Sequence, residues 1–529
     1  MLRIGIVALL LGFFHVDHVW AQNSVEAMKF ANTITMDELK HHLYIISSDE
    51  YEGRETGKAG QKKAAAYIAD YYKSLGIEPV VNGSYFQQYP LVKRKISNTT
   101  MDVGDHNFQF IKDFYSVSDF GKEEIDLGNM VFAGYGIETP TYSDYSRLDV
   151  KGKAVICFLG EPTDKSGNSR ITGKPEPSDW TQDFRYKIDL AKAKGATAVL
   201  FVRQDYASAI ARMRYWMENP GLDLDYPDEK QEDLLPFFMV TPELANAILA
   251  NGKQKPATRL KQRIDMKGKP SSKSFACSAI IHVKRESEKV SAENVLGFIE
   301  GSDSLLKNEI VVISAHYDHI GIVKGEINNG ADDDGSGTVS TLEIAQAFME
   351  AKKAGFGPRR SILILNVSGE EKGLLGSEWY SEFPVFPLEN TVCDLNIDMI
   401  GRMDEQHEGN PNYVYLIGSD KLSTDLHKIS EACNATYAGL QLDYTYNEPN
   451  DPNRFYYRSD HYNFAKHNIP VIFYFSGVHE DYHKPGDDPE KILYEKMTTI
   501  ARLVFHTAWN VANRDERLNV DVENNFSNE

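Results

Sequence analysis

Residues 310–348 read IVVISAHYDHIGIVKGEINNGADDDGSGTVSTLEIAQAF, and the rest of the chain is arranged about them. The stretch opens on a β-branched apolar run, Ile310 to Ile313, which has the character of a buried parallel strand. The run breaks at Ser314-Ala315, and His316 follows, then Asp318 and His319. A polar loop next carries Asp332, Asp333 and Asp334, followed by Gly335-Ser336-Gly337. Leu342, Ile344, Ala345 and Phe348 then recur at helical spacing. The order is strand, acidic loop, helix, with His316 at the carboxyl end of the strand, where open α/β sheets place ligands. Three adjacent aspartates repel one another unless a cation or hydrogen-bond donors offset them. Two readings stay open at this point: a metal site, or a solvated acidic turn with Ser336 capping the helix.

The length, 529 residues, predicts two or three domains. An apolar content of 42% suffices for real cores, and a net charge of −20 argues against nucleic acid as a partner, which needs clustered cations. Residues 1–21 have the pattern of a secretory signal: Arg3, an apolar stretch from Ile4 to Phe14 too short to span a bilayer, and Val19-Trp20-Ala21 before a cleavage point at Gln22. The expected product is exported, periplasmic or secreted, with no membrane span. The four cysteines, Cys157, Cys277, Cys393 and Cys433, form no C-x-x-C pair, so a thiolate zinc site is not expected. Cys157 and Cys393 lie in apolar runs and are expected as buried thiols.

Along the chain, helices are expected from Met36 and over 60–75, with Gly76 in the C-cap place, and a strand over 85–92. Residues 100–272 form an α/β pattern of their own, with strands at 130–137, 153–159, 196–202 and 235–240 and helices at 184–195 and 242–251. The polar, basic segment 262–274 is expected as a linker. From Cys277 onward strands are expected at 277–284, 294–299, 310–315, 361–367, 393–398, 413–417 and 470–475. The polar residues after Arg514 are expected to fray.

Four of these strands end in residues that bind metals. The first ends at His316. Strand 361–367 is followed by Glu370-Glu371, strand 393–398 ends on Asp398, and strand 470–475 precedes a loop with Asp481-Tyr482-His483. In a parallel sheet these ends converge on one crevice. Two histidines, at least three carboxylates and no thiol suit two zinc ions sharing a bridging carboxylate. Each residue also has a plain structural use: Glu370-Glu371 offsetting a helix dipole, Asp398 in a turn, His483 as a packed histidine. Their joint placement at strand ends favours the metal reading.

The motifs H-x-D (His316, Asp318), G-A-D-D-D-G-S-G (330–337), E-E-x-G-L-L-G-S (370–377), N-x-D-M-x-G-R (396–402), S-D-H (459–461) and D-Y-H-x-P (481–485) resemble the di-zinc aminopeptidase family that includes glutamate carboxypeptidase, glutaminyl cyclases and the transferrin receptor. The segment Ser48-Asp49-Glu50-Tyr51-Glu52-Gly53-Arg54 (48–54) resembles that family's opening. The resemblance implies a mixed, mostly parallel α/β sheet sandwiched by helices, of the zinc-exopeptidase type, with an inserted α/β protease-associated domain. The implied layout is a signal at 1–21, an N-terminal peptidase part at 22–99, the inserted domain at 100–272, the catalytic core at 273–515 and a polar tail at 516–529. The family pattern implies two Zn2+ per chain, one on His316 and Asp398, the other on Glu371 and His483, with Asp333 bridging. It implies Glu370 as general base, Asp318 orienting His316, Tyr482 near the oxyanion, and a cis bond between Asp333 and Asp334. The implied substrates are peptides with a free N-terminus. A carboxypeptidase using Arg402, Arg454 or Arg458, a glutaminyl cyclase and a non-catalytic receptor are the alternatives, and the complete ligand set argues against the last.

Overall fold

In the computed structural model, which describes residues 25–118, 120–227 and 234–524, the chain divides into two units. One joins the segment up to Leu91 with the chain from Val290 onward, and the other spans Val92–Lys289. The signal-like residues 1–21 lie outside the described residues.

In the first unit the helices include α1 (Met36–Ile46), α2 (Ala59–Leu75), α3 (Gly337–Lys353), α4 (Leu375–Glu382), α5 (Thr424–Cys433), α6 (His461–Ala465) and α7 (Tyr494–Asn513). The strands are β1 (Phe86–Ile96), β2 (Arg285–Ile299), β3 (Ile310–His316), β4 (Ser361–Val367), β5 (Thr391–Ile397), β6 (Tyr413–Ile417), β7 (Gln441–Asp443) and β8 (Val471–Phe475). These eight strands share one sheet in the order β7-β6-β8-β5-β3-β4-β2-β1. The central four, β8-β5-β3-β4, run parallel. β2 joins β4 antiparallel, and β6 joins β8 antiparallel. All seven residues of β3 are buried. Val311 and Ile313 face a core shared with α1, α2, α3, α5 and α7, while Ile310 and Val312 face a second core containing Tyr380 of α4 and Phe464 of α6. A strand buried on both faces reads as one unbroken apolar run, which is how 310–313 reads.

Local signals set the helix ends. Thr35 caps α1, with the Glu38 N–H donating to Thr35 Oγ1 at 3.3 Å and the Thr35 hydroxyl donating to Glu38 Oε2 at 2.7 Å. Gly76 ends α2 in the left-handed region at φ 78°, which costs glycine nothing.

The second unit has strands Asn129–Phe132, Ala154–Phe158, Ala198–Val202 and Phe237–Val240 in one six-stranded sheet, flanked by helices that include Arg185–Ala193 and Pro242–Asn251. Its limits are wider than 100–272, and two expectations are corrected here. The segment 262–274 is not a linker: helix Ala257–Lys267 buries Leu260 and Ile264, and Lys273–Ala276 pairs antiparallel with Asn129–Phe132. The strand expected at 277–284 belongs not to the first unit's sheet but to a four-stranded sheet of the second, where Ala279–His282 pairs with Thr100–Val103 and Glu124–Asp126. Both pairings join segments far apart in sequence, so local patterning carries no trace of them.

All four cysteines are free and buried. The residues after Arg514 do not fray up to Asn524. Arg517 donates to the carbonyls of Glu389 and Thr391, Leu518 is buried, and Asp521 accepts from the Thr424 N–H and hydroxyl. Among the described residues no helix is long and apolar enough to cross a membrane.

Candidate metal centre

The parallel register puts His316 beside Val367, and Ser314 beside Asn396, so the carboxyl ends of β3, β4 and β5 come level. His316 is the last residue of β3, Glu370 and Glu371 follow β4, Asp398 follows β5, and the loop after β8 carries Tyr482 and His483. The acidic loop before α3 closes the group.

Asp333 sits at the middle with its two oxygens divided. Oδ1 is 3.4 Å from His316 Nε2, and Oδ2 is 3.1 Å from His483 Nε2. His316 Nε2 is also 3.6 Å from Asp398 Oδ1, and His483 Nε2 is 3.1 Å from Glu371 Oε2. The five residues expected as ligands therefore form two groups joined through one carboxylate. Asp334 lies within reach of His316 and Asp398 as well. Its Oδ1 accepts from the N–H groups of Gly337 and Met399, so it caps α3, a part that Ser336 was expected to play. The Ser336 hydroxyl donates to the Asp332 carbonyl and accepts from the Ile400 N–H. The peptide bond between Asp333 and Asp334 is cis.

The surroundings hold each group in place. The Asp398 Oδ2 accepts from Ser459 of the S-D-H motif at 2.7 Å. His316 Nδ1 lies 3.1 Å from the Asp318 carbonyl and 3.7 Å from its carboxylate, so Asp318 orients His316 chiefly through the main chain. The Asp318 carboxylate accepts from the Thr56 hydroxyl at 2.6 Å and from the Glu370 N–H at 3.3 Å. Asp487 accepts from the N–H groups of Asp332 and Asp333. Below the loop, Arg54 is fully buried and donates to the carbonyls of Tyr317, Ile46, Asn329 and Gly330 at 2.7–2.9 Å. Gly369 precedes the Glu pair at φ 80°, and a Cβ there would meet the Tyr89 hydroxyl at 2.8 Å. Met399 and His483, each beside or within the ligand set, are non-glycine residues in the left-handed region at φ 53° and 55°. Such outliers concentrate at functional sites.

The two adjacent glutamates part company. Glu370 lines a pocket with Asp333, Asp398, Phe455, Phe473, Phe475, Arg458 and Tyr482, and Glu371 does not. Tyr482 stacks on His483, ring centroids 3.9 Å apart. Burial pushes the Glu370 carboxyl well above the usual carboxylate range; His316 opposes this, and Glu371 and Asp398 add to it. Burial also raises Asp333, but His319, His316 and His483 override it and hold that carboxyl well below the usual range.

The residues fit a pair of divalent ions. Asp333 Oδ2, Asp334 Oδ2 and Glu371 Oε1 are buried oxygens with no hydrogen-bond partner. Unpaired buried carboxylate oxygens are costly, and a cation is what offsets them. Histidine and carboxylate donors without thiols are a zinc-type set. Sequence reading missed one residue. His319, wholly buried, has Nδ1 2.8 Å from Glu371 Oε1 and 3.7 Å from Asp333 Oδ2. It lies beyond the end of β3, where its backbone forms an isolated bridge with Glu55. Its spacing of three from His316 was the available signal.

Residues 294–508 match the model of peptidase family M28. Over 481 residues the chain is 25% identical to a probable glutamate carboxypeptidase of Arabidopsis thaliana, covering 83% of this chain and 61% of that one. Over 204 residues it is 30% identical to a probable leucine aminopeptidase of Aspergillus oryzae, covering 38% of this chain and 37% of that one. An aminopeptidase structure from Aneurinibacillus sp. strain AM-1 superposes with a TM-score of 0.48 at 18% identity, over 94% of this chain and 98% of that one. The chain thus spans less than two thirds of the length of these curated relatives. All the candidate ligands fall inside the matched residues, and residues 294–508 are a peptidase family M28 domain.

Proposed function

We infer that the protein is a zinc-dependent exopeptidase that removes the N-terminal residue of peptides. The observation that carries this reading is Asp333, whose two oxygens serve two histidine–carboxylate groups while Glu370 stands beside them, off both groups and facing the pocket. His316, Asp398 and Asp333 would hold one Zn2+, and Asp333, Glu371 and His483 the other. When bound, the ions supply Lewis acidity to the scissile carbonyl and lower the pKa of the attacking water.

The chain's own residues do the rest. Glu370 takes a proton from the attacking water on a carboxylate oxygen and passes it to the leaving amine nitrogen. Its place off both groups and facing the pocket suits a group that holds a proton between the two steps. Asp318 orients His316 and, through the Glu370 N–H, the start of the Glu pair. Tyr482, stacked on His483, lines the pocket, where its hydroxyl would donate to the oxyanion. Phe455, Phe473, Phe475 and Met399 give the pocket an apolar wall suited to a side chain of the substrate. The second unit contributes none of these groups, which supports a role outside the chemistry, as expected of a protease-associated domain. The signal-like residues 1–21 support export.

One observation favours a second reading, a carboxypeptidase of the glutamate carboxypeptidase type. Arg458 lines the same pocket and, among the described residues, forms no ion pair, whereas Arg402 is engaged by Glu480 and Asp481. An arginine so placed can hold a terminal carboxylate. Aminoacyl-nitroanilides, N-blocked peptides and peptides ending in glutamate separate the two. Cleavage of the first and not of the N-blocked peptides is the expected result; cleavage confined to the last overturns it.

A further inference from the structure

His319 has a feature that neither packing nor hydrogen bonding explains. Its side chain is 0% exposed, and neither ring nitrogen has a hydrogen-bond partner. A buried imidazole with both nitrogens unpaired forfeits its hydration for nothing in return. Yet Nδ1 is not remote from acceptors: Glu371 Oε1 is 2.8 Å away and Asp333 Oδ2 3.7 Å away. Those two oxygens are themselves buried and unpaired. His407 shows what an ordinary contact looks like here, since its Nδ1 lies at the same 2.8 Å from Asp404 Oδ1 and does make a hydrogen bond. In His319 the distance is met and the direction is not. Three donor atoms thus lie close together without pointing at one another, as ligands do when they point at a common centre. Ligands about 2.0–2.2 Å from a tetrahedral zinc stand about 3.3–3.6 Å apart, a separation bracketed by the two distances His319 makes.

We propose that His319 Nδ1 is a ligand of the second metal ion, so that this ion is held by four side chains, His319, His483, Asp333 and Glu371. This rests on the two-metal reading given above. The two sites then differ in kind. The second is filled by four protein side chains, as closed zinc sites are, so the tighter binding step is assigned to it.

The test uses the full-length chain, stripped with chelator and titrated with Zn2+, with bound metal measured directly. Wild type should bind two ions in two steps. His319→Ala and His319→Gln should weaken the tighter step by at least about tenfold, the low end of what even an outer-sphere partner costs. The same variants loaded with Co2+ should show a changed visible spectrum, because the ligand set changes. Melting curves of the stripped proteins identify which variant remains folded, and either one suffices. A folded variant that binds two Zn2+ with wild-type constants and gives an unchanged Co2+ spectrum overturns the proposal. A wild-type chain that binds no divalent ion overturns the two-metal reading itself.

Discussion

Glu370 and Glu371 are neighbours in the chain, yet Glu371 Oε2 lies 3.1 Å from His483 Nε2 while Glu370 comes no nearer than 3.9 Å to His316 Nε2 and lines the pocket instead. The short turn Glu370–Lys372, entered through Gly369 in the left-handed region, rotates the two side chains apart. Glu370→Gln preserves size and removes the carboxylate proposed as the base. Turnover should fall by at least about a hundredfold, the general acid–base range, with the Michaelis constant little changed and both metal ions retained. Near-normal turnover, or loss of metal, would show that the roles are misassigned.

Asp333 should behave differently, because its carboxylate faces both groups. Asp333→Asn should lower the affinity of both ions, whereas Glu371→Gln should weaken one. Metal content after dialysis against a graded chelator distinguishes them. Asp333→Asn protein that still holds two ions at wild-type affinity would remove the bridge from the scheme.

Metal should also stabilise the fold. Stripped of ions, the site leaves Asp333, Glu371 and Asp398 crowded together in a buried pocket. Adding Zn2+ at a hundred times its dissociation constant should stabilise the folded state by about 2.7 kcal/mol for each site. Calorimetric melting with and without Zn2+ reads this as a rise in melting temperature, and an unchanged melting temperature would contradict it.

Arg54 carries the floor of the acidic loop. Truncation to alanine leaves the carbonyls of Tyr317, Ile46, Asn329 and Gly330 unpaired in the interior. Arg54→Ala should cost about 3–5 kcal/mol in urea unfolding, and Arg54→Lys should recover little of it, since a lysine cannot reproduce the planar fork. Wild-type stability in Arg54→Lys would count against that geometry.

Lys187 gives a pH test within the second unit. Burial pushes its ammonium down to about 8, against Cys157, Asp144 and Glu161, which favour the charge. Between pH 8 and its ordinary value of 10.5 the unfolded chain binds more protons than the fold, so stability rises with pH across that window. Below pH 8 both states are protonated and the penalty is complete. The wild type should therefore gain stability relative to Lys187→Met between pH 7.5 and 10, by an amount on the order of 3 kcal/mol for the full shift. A pH-independent difference between the two proteins in urea unfolding would refute it.

Much of the site was legible in the sequence because it depends on local order alone. A parallel strand buried on both faces must be a continuous apolar run, and it must stop where the chain turns at the rim. His316, Asp398 and the Glu pair could be placed because each follows such a run, and parallel strands bring their carboxyl ends together. The helix start at Met36 and the glycine that ends α2 were readable for the same reason. What the tertiary structure decided were relations between distant segments. Ala279–His282 looks like the first strand of the core, but its partners are Thr100–Val103 and Glu124–Asp126. Arg54 looks like a polar turn residue, and only folding surrounds it with carbonyls from β3's end and the acidic loop. His319 lies past the strand in a loop with no period, and its backbone pairs with Glu55, more than 250 residues earlier in the chain. Periodicity fixes which face a side chain takes within an element, but beyond the element's end only long-range contacts fix where it points.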